Sequence, residues 1–250
     1  MYKKVYPFLK EVDSLALANV QLHLEKAYKN FFRDPKVGFP RFKSKHHSKN
    51  SYTTNVVNGN ILVENNRIRL PKLKWISMKK HREPAENCCL KSVTVSMEPS
   101  GKYFASLLYE GYSCENQAAD KDYSSAKILG IDYAMQGMAV FSEEIEMEEA
   151  GFFRKNEKRL AREQRKLSRC VKGSRNYVRQ KKKVARCHEK IRSQRRDYLH
   201  KLSRRITDQY DIVAVEDIDM KAMSQCLHFG KSIQDNGYGM FRNMLDYKLA

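Results

Sequence analysis

Two short apolar runs of this sequence each end in a carboxylate, and these two acids are the residues best suited to chemistry. Asp132 ends one run and Glu216 ends the other. An acid at the end of a buried strand is costly to bury unless it is paired, protonated or bound to a metal. If the two strands are neighbours, their carboxylates converge into a hard, oxygen-rich site suited to Mg²⁺ or Mn²⁺.

Two such metal ions stabilise the attacking and leaving oxygens of a phosphodiester and activate water. The pair therefore predicts metal-dependent phosphodiester hydrolysis, with Asp132 and Glu216 as catalytic residues and as metal ligands. An acid at a strand end also serves as a helix N-cap or as an ordinary surface residue, and that alternative stays open for either acid taken alone.

A strongly basic segment lies between the two acids in the chain. The 250 residues contain 48 Lys and Arg against 29 Asp and Glu, a net charge of +19. Residues 151–210 alone contain 22 Lys and Arg against five acids, a net charge of +17. Such a charge density repels itself unless a polyanion lies alongside, so it indicates a nucleic-acid partner. A membrane surface fits less well, because a membrane-binding helix needs a broad apolar face that this segment lacks.

Three basic stretches supply candidate nucleic-acid contacts. Residues 41–49 alternate aromatic residues with cations, as suits base stacking combined with phosphate contacts, although a solvated loop explains them equally well. Residues 79–82 lie between predicted strands, where a solvated loop and an RNA-backbone contact are equally good interpretations. The third stretch is the basic segment 151–210. The candidates are Arg41, Lys43, Lys45, Lys79, Lys80, Arg82, Arg165, Lys166, Arg175, Arg179, Lys181, Lys182, Arg195 and Arg196.

The elements that precede the two acids follow from periodicity and turn signals. Apolar residues at helical spacing predict a helix over residues 8–32. Short runs separated by turns predict about six strands over residues 51–112, which is typical of a small antiparallel β-barrel or a curled sheet. Asn58-Gly59 and Pro99-Ser100-Gly101 are the strongest hairpin signals. The polar residues 113–125 indicate a linker.

The pattern changes after residue 125. Two strands joined by a tight turn are predicted first, and a third within residues 145–153. Apolar residues at seven- and four-residue steps then predict two long helices, packed as a hairpin over residues 154–208 with a cationic outer face. A buried-type strand over residues 211–216 and a helix over residues 237–249 follow. This order of elements is that of a ribonuclease H type of nuclease core.

Several protein classes are excluded by composition. No run of 18 apolar residues exists, so no membrane span is predicted, and the start lacks the apolar stretch of a secretory signal. The six cysteines form no CxxC pair and therefore no zinc ribbon. Their scattered positions are typical of free reduced thiols, which predicts a cytoplasmic protein.

Several motifs of the sequence are familiar, namely Gly130-Ile131-Asp132, the arginine-rich residues 194–203, residues 212–218, residues 37–43, residues 68–73 and Asp246-Tyr247-Lys248. Together they closely resemble the TnpB family, the transposon-encoded proteins of bacterial insertion sequences that are related to compact type V CRISPR effectors. The resemblance covers nearly the whole chain.

The resemblance implies an α+β chain with a small, wedge-like antiparallel β-barrel followed by an RNase H-like (RuvC) α/β domain that carries the long basic hairpin. It implies guide RNA and target DNA as partners, Mg²⁺ or Mn²⁺ as cofactor, and Asp132 and Glu216 as the first and second RuvC acids. The implied domains are a partial N-terminal helical region with a basic loop at 1–50, the barrel at 51–112, the linker at 113–125 and the nuclease domain at 126–250.

The sequence also departs from the family pattern. The third RuvC carboxylate and the four-cysteine zinc ribbon lie beyond the position where this chain stops, and the chain starts in what resembles the middle of the N-terminal helical region. We therefore expect an incomplete and inactive copy of an RNA-guided DNA endonuclease without the family's zinc site. Two alternatives stay open: a non-catalytic RNA- or DNA-binding protein that retains the basic scaffold, and a strand-transferring transposase that uses no guide.

Overall fold

The computed structural model shows an α+β protein, as predicted, with helices and three small sheets. The chain divides into two units, Met1–Gln117 and Ala118–Ala250. The finer domain boundaries expected from the sequence stay predictions. The residues that the structure describes are 2–42, 44, 49–111, 123–134, 138–145, 151–219 and 236–249.

The first unit combines a long helix with two antiparallel sheets. A short helix α1 (Tyr2–Val5) and a 3₁₀ turn (Pro7–Lys10) precede α2 (Ser14–Arg33). The helix begins later than predicted because the side chain of Asp13 caps it, accepting a hydrogen bond of 3.2 Å from the backbone N–H of Leu15. The strands are β1 (Asn50–Asn55), β2 (Leu62–Glu64), β3 (Arg67–Arg69), β4 (Trp75–Ser77), β5 (Cys88–Met97) and β6 (Tyr103–Gly111).

The barrel predicted over residues 51–112 is not what the described residues form. They form two three-stranded sheets, ordered β1-β5-β6 and β2-β3-β4, and neither closes into a barrel. The hairpin predicted at Asn58-Gly59 is wrong, because β1 pairs with β5 whereas β2 pairs with β3. The hairpin at Pro99-Ser100-Gly101 is confirmed, since it joins the paired strands β5 and β6. A small core holds this unit together, formed by Ile61, Ile68, Leu70 and Val93.

The second unit is built on a mixed sheet with the order β8-β7-β9. β7 and β8 are antiparallel, whereas β9 runs parallel to β7 with Ile131 opposite Val215. A parallel return needs a long crossover connection, and a helical hairpin of two helices provides it. The elements of this unit are β7 (Ile128–Ala134), β8 (Met138–Phe141), α3 (Phe152–Ser168), α4 (Arg175–Gln209), β9 (Ile212–Val215) and α5 (Tyr238–Leu249).

The basic segment forms the predicted helical hairpin. Gln180 of α4 donates a hydrogen bond of 2.7 Å to the Glu163 carboxylate of α3, and the side-chain amide of Asn156 donates one of 3.3 Å to the side-chain amide oxygen of Gln194. The residue numbers of these contacts fall along α3 as they rise along α4, which shows that the two helices run antiparallel. Ser174 caps α4 by accepting a hydrogen bond of 3.1 Å from the backbone N–H of Tyr177.

The strand predicted within residues 145–153 is not observed where the structure can test it. Residues 146–150 lie outside the described residues. Phe152 begins helix α3 and is therefore not part of a strand. The buried apolar stripe of the first helix also ends before Val171, because this residue is exposed at the turn between the two helices.

One face of the mixed sheet packs against α4 and α5 and forms the main core. Successive side chains of a strand point to opposite faces, so Leu129 and Ile131 face this core whereas Ile128 and Asp132 face away from it. Leu129 is fully buried and Ile128 is 58% exposed, as this alternation requires. The buried residues of the core are Leu129, Ile131, Tyr133, Met138, Ala139, Leu199, Leu202, Ile206, Tyr238, Phe241, Met244 and Leu245.

The described residues also bear on the predictions about membrane spans and cysteines. Among the described helices, none combines the length and the apolar character that crossing a membrane requires. The cysteines that the structure describes, namely Cys88, Cys89, Cys170 and Cys187, are free thiols. Cys114 and Cys226 lie outside the described residues.

We expect the core between α4 and the mixed sheet to dominate the stability of the second unit. Leu199 is fully buried, so Leu199→Ala should lower the free energy of unfolding by about 2–5 kcal/mol through lost burial and the cavity left behind. Val178 lies on the same helix but is exposed, so Val178→Ala should change the free energy of unfolding by less than about 0.5 kcal/mol. Urea unfolding of both variants measures this free energy, and a similar loss in the two variants would contradict the prediction.

A second prediction concerns the hydrogen bond inside the hairpin. The amide of Gln180 holds the pKa of Glu163 below its ordinary value of 4.5, with Lys166 and Lys183 acting in the same direction. A lowered folded-state pKa contributes stability that is present above pH 4.5 and is lost as the pH falls through the folded-state value.

Gln180→Met should therefore raise the pKa of Glu163 toward 4.5, as measured by an NMR titration of its carboxyl carbon. Gln194→Met is the matched control, because it removes the other amide contact across the hairpin and leaves Glu163 untouched. An unchanged Glu163 titration in the Gln180 variant would refute the assignment.

Candidate functional site

Asp132 and Glu216, the two acids predicted to act together, are neighbours in the structure. The parallel register pairs Ile131 with Val215, so Asp132 within β7 lies beside Glu216, which directly follows β9. Both acids are exposed, and both lie on the sheet face opposite the core. A side-chain hydrogen bond joins the two carboxyl groups. Residues 84 positions apart in the sequence are thus brought into direct contact.

The contact has a clear electrostatic consequence. The hydrogen bond to Asp132 raises the pKa of Glu216 above 4.5, and burial and the negative charge of Asp132 act in the same direction. Two carboxylates this close repel each other when both are ionised, and this repulsion favours the protonated form of Glu216. A divalent cation offers another way to relieve the same repulsion.

The donor set of this pair fits a hard divalent cation. Mg²⁺ is commonly held by one or two carboxylates, with water and substrate phosphate oxygens as its other ligands. Asp132 and Glu216 supply these two carboxylates. In the part of the chain that the structure describes, no group of three or more His, Cys, Asp or Glu residues is placed to hold a metal. The described residues therefore offer two protein ligands at this position.

The acids line a shallow groove on the open face of the sheet, with a volume of about 430 Å³. Gly130 lies on the same face as Asp132, two residues before it, and has no side chain to fill the groove. Its backbone N–H donates a hydrogen bond of 2.9 Å to the hydroxyl of Ser142, which links β7 to the end of β8. Among the described residues, the two carboxylates are therefore exposed on this side.

Helix α5 contacts the ends of both acid-bearing strands. The ring of Tyr238 lies 5.0 Å from that of Tyr133, the residue after Asp132. The guanidinium of Arg242 lies 3.2 Å from the carboxylate of Asp217, the residue after Glu216. Sequence reasoning missed these neighbours of the acids. The four-residue spacing of an aromatic and a cation on one helix was the only available signal.

Gly237 fixes the place where α5 meets α4. It has φ of +68°, a conformation that residues with a side chain rarely adopt. A Cβ atom there would lie 3.0 Å from Cδ of Arg195 and 3.2 Å from Cδ1 of Leu199. The glycine therefore allows a close approach that brings Tyr238 to the sheet.

The predicted nucleic-acid contacts differ in their accessibility. Lys80 is half-buried and pairs with Glu83, and Arg195 is half-buried beside the start of α5. Both are therefore less available to a phosphate than the sequence suggested. Lys43 and Lys45 lie outside the described residues. The exposed candidates are Arg41, Lys79, Arg82, Arg165, Lys166, Arg175, Arg179, Lys181, Lys182 and Arg196.

The hairpin also contains a cationic groove that sequence reasoning missed. It lies between α3 and α4 and has a volume of about 350 Å³. A concave surface lined mainly by one sign of charge concentrates ions of the opposite sign. The three- and four-residue spacing of its members on α4 was the signal that could have found it. The lining residues are Asn156, Arg159, Glu163, Lys183, Arg186, Cys187 and Lys190.

Comparisons with known proteins agree with the motifs of the second unit. Residues 111–227 match the model of a family described as "Probable transposase". The "Putative RNA-guided DNA endonuclease InsQ" of Escherichia coli (strain K12) is 34% identical in an alignment 256 positions long, which covers 96% of this chain and 61% of the relative. A "Putative RNA-guided DNA endonuclease" of Streptomyces pristinaespiralis is 32% identical in an alignment 246 positions long, which covers 97% of this chain and 58% of the relative.

The chain thus spans about three fifths of the length of these two curated relatives. Both alignments extend over nearly all of the chain, and both include the strands that carry Asp132 and Glu216. The family match also covers both acids and the basic hairpin between them. The chain therefore belongs to the TnpB family of insertion-sequence proteins.

Proposed function

We propose that this chain carries the metal-binding, phosphodiester-hydrolysing centre of an RNA-guided DNA endonuclease encoded by an insertion sequence. The observation that carries the proposal is the contact between Asp132 and Glu216 at the ends of neighbouring strands. The names of the relatives, both of which contain the words RNA-guided DNA endonuclease, support the same activity.

A RuvC-type architecture for the second unit is part of this proposal. Its support is the order of the mixed sheet, in which an antiparallel hairpin is followed by a helical insertion and then by a strand parallel to the first. That is the order expected for a ribonuclease H type of nuclease core. A wedge-like role for the first unit rests on the family resemblance alone.

The proposed chemistry assigns simple roles to the two acids. A bound Mg²⁺ or Mn²⁺ ion would supply an activated water and positive charge next to the scissile phosphate. Asp132 and Glu216 would hold the ion through one carboxylate each, from the open face of the sheet. The shallow groove around them leaves room for a nucleic-acid backbone to approach.

Guide RNA and target DNA are the proposed partners. Residues 151–210 have a net charge of +17, and the exposed cations of the hairpin lie on the same unit as the acids. Phosphate contacts of this kind set affinity and orientation without reading the sequence. Base pairing with the guide would therefore select the target, as in other RNA-guided nucleases.

The metal site is tested by Mn²⁺ binding to the whole chain, measured by electron paramagnetic resonance. Asp132→Asn and Glu216→Gln should each weaken binding at least about 10-fold, because loss of a direct ligand costs no less than loss of an outer-shell partner. Asp197→Asn is the matched control, since it removes an exposed acid of α4 that pairs with Lys201.

Equal Mn²⁺ affinity in the Asp132 variant and the Asp197 control would contradict the metal site. The alternative of a non-catalytic RNA- or DNA-binding protein would then be favoured. The absence of DNA cleavage by this chain alone stays a prediction, and cleavage of guide-matched DNA with Mg²⁺ would overturn it.

The nucleic-acid interface is tested by the salt dependence of RNA binding. For single strands, the slope of log K against log[salt] changes by about 0.7 for each phosphate contact. Lys181→Gln combined with Lys182→Gln should therefore reduce the slope by about 1.4. The control is Lys3→Gln combined with Lys4→Gln, which removes the same charge from the first unit. A slope near zero in the unmodified chain would reject the electrostatic interface.

A further inference from the structure

The first turns of α5 contact both acid-bearing strands at equivalent positions. Tyr238 packs against Tyr133, directly after Asp132, with 5.0 Å between ring centroids. Arg242 pairs with Asp217, directly after Glu216, at 3.2 Å. One helix therefore contacts the chain immediately beyond each acid.

The spacing of the two contacts matches the spacing of the strands. Residues four apart on a helix lie on the same face with their Cβ atoms about 5–6 Å apart. Neighbouring strands of a sheet lie about 4.7–4.9 Å apart. Tyr238 and Arg242 are four residues apart, and β7 and β9 are neighbours in the sheet. One turn of α5 thus spans the two strands.

Helix α5 is itself held in place at both ends. Before its first turn, the side-chain amide of Asn236 donates a hydrogen bond of 3.4 Å to the backbone carbonyl of Ala134, at the end of β7. At its other end, Lys248 donates to the hydroxyl of buried Ser203 at 2.8 Å and to the carbonyl of His200 at 2.9 Å. The helix cannot shift along the strands without breaking these contacts.

The charges of the cluster are also close enough to act on one another. Tyr238 is 2% exposed, and burial is the main cause that raises the pKa of its hydroxyl. Glu216 and Asp132 raise this pKa further, whereas Arg242 lowers it. The hydroxyl of Tyr238 therefore lies within electrostatic range of the arginine and of the two acids.

We propose that Tyr238 and Arg242 are positioning residues, which keep the residues after Asp132 and Glu216 aligned so that the two carboxylates stay in contact and bind one cation together. This inference rests on the proposed function, since it gives the acid pair a role in metal binding. Neither side chain touches the reacting atoms in this arrangement; both act through the strand ends.

The pair of Arg242 and Asp217 separates positioning from stability. Asp217 is almost fully exposed, and exposed ion pairs contribute little to folding. Removal of this pair should therefore leave the melting temperature unchanged while it loosens the end of β9. Tyr238 is part of the core, so its truncation would disturb folding and is a poor test.

The experiment compares four variants of the whole chain with the unmodified protein. Arg242→Ala and Asp217→Ala each remove the ion pair, and Asp217→Arg combined with Arg242→Asp restores it with reversed charges. Arg204→Ala is the matched control, because it breaks a comparably exposed pair with Asp208 at 2.9 Å on α4. The readouts are the carboxyl ¹³C shifts of Asp132 and Glu216 without metal, Mn²⁺ affinity, and the melting temperature.

We expect Arg242→Ala and Asp217→Ala to move both carboxyl signals and to weaken Mn²⁺ binding about 3- to 10-fold at an unchanged melting temperature. The charge-reversed double variant should recover most of the affinity, and the Arg204 control should match the unmodified chain. Carboxyl signals that do not respond to Arg242→Ala would overturn the inference, as would equal effects of the control. Failure of the unmodified chain to bind Mn²⁺ through Asp132 would instead overturn the proposed metal site.

Discussion

The mutual contact of two carboxylates is the constraint on which the rest of the second unit depends. Asp132 and Glu216 repel each other when both are ionised, so the chain must hold them together by other interactions. The parallel pairing of β7 with β9 does this, because it places the two acids at the same level. The buried face of the same sheet stabilises the pairing through its contacts with α4 and α5. On the other face, the two acids are exposed in the part of the chain that the structure describes.

The helical hairpin serves two physical purposes at once. A parallel strand cannot follow a tight turn, so the chain needs a long connection between β7 and β9, and α3 and α4 supply it. The same connection contains most of the net positive charge of the protein, +17 of +19. Apolar residues of α4 face the sheet whereas its cations face solvent, so a single amphipathic helix both builds the core and presents a polycationic surface. The connection that makes the acid pair possible thus also attracts the polyanion on which the acids are proposed to act.

The sequence predicted those features that depend on local pattern. The apolar runs before Asp132 and Glu216 indicated buried strands, and the stripe in the basic segment indicated the hairpin. The pairing of strands in the first unit could not be predicted in this way. Asn58-Gly59 is a good turn, but a turn signal does not say whether the flanking strands pair with each other. All three residues of the strand Trp75–Ser77 are exposed, so no alternation of buried and exposed residues marks this strand.

The role of α5 lies beyond any local pattern. Asp217 follows Glu216, so alternation along the chain points it to the opposite face. That opposite face is where α5 packs, so Arg242 can reach Asp217. The alternation that exposes one acid to the groove therefore offers the next acid to the helix behind the sheet. Adjacent carboxylates thus acquire different roles because a strand turns them toward different surroundings.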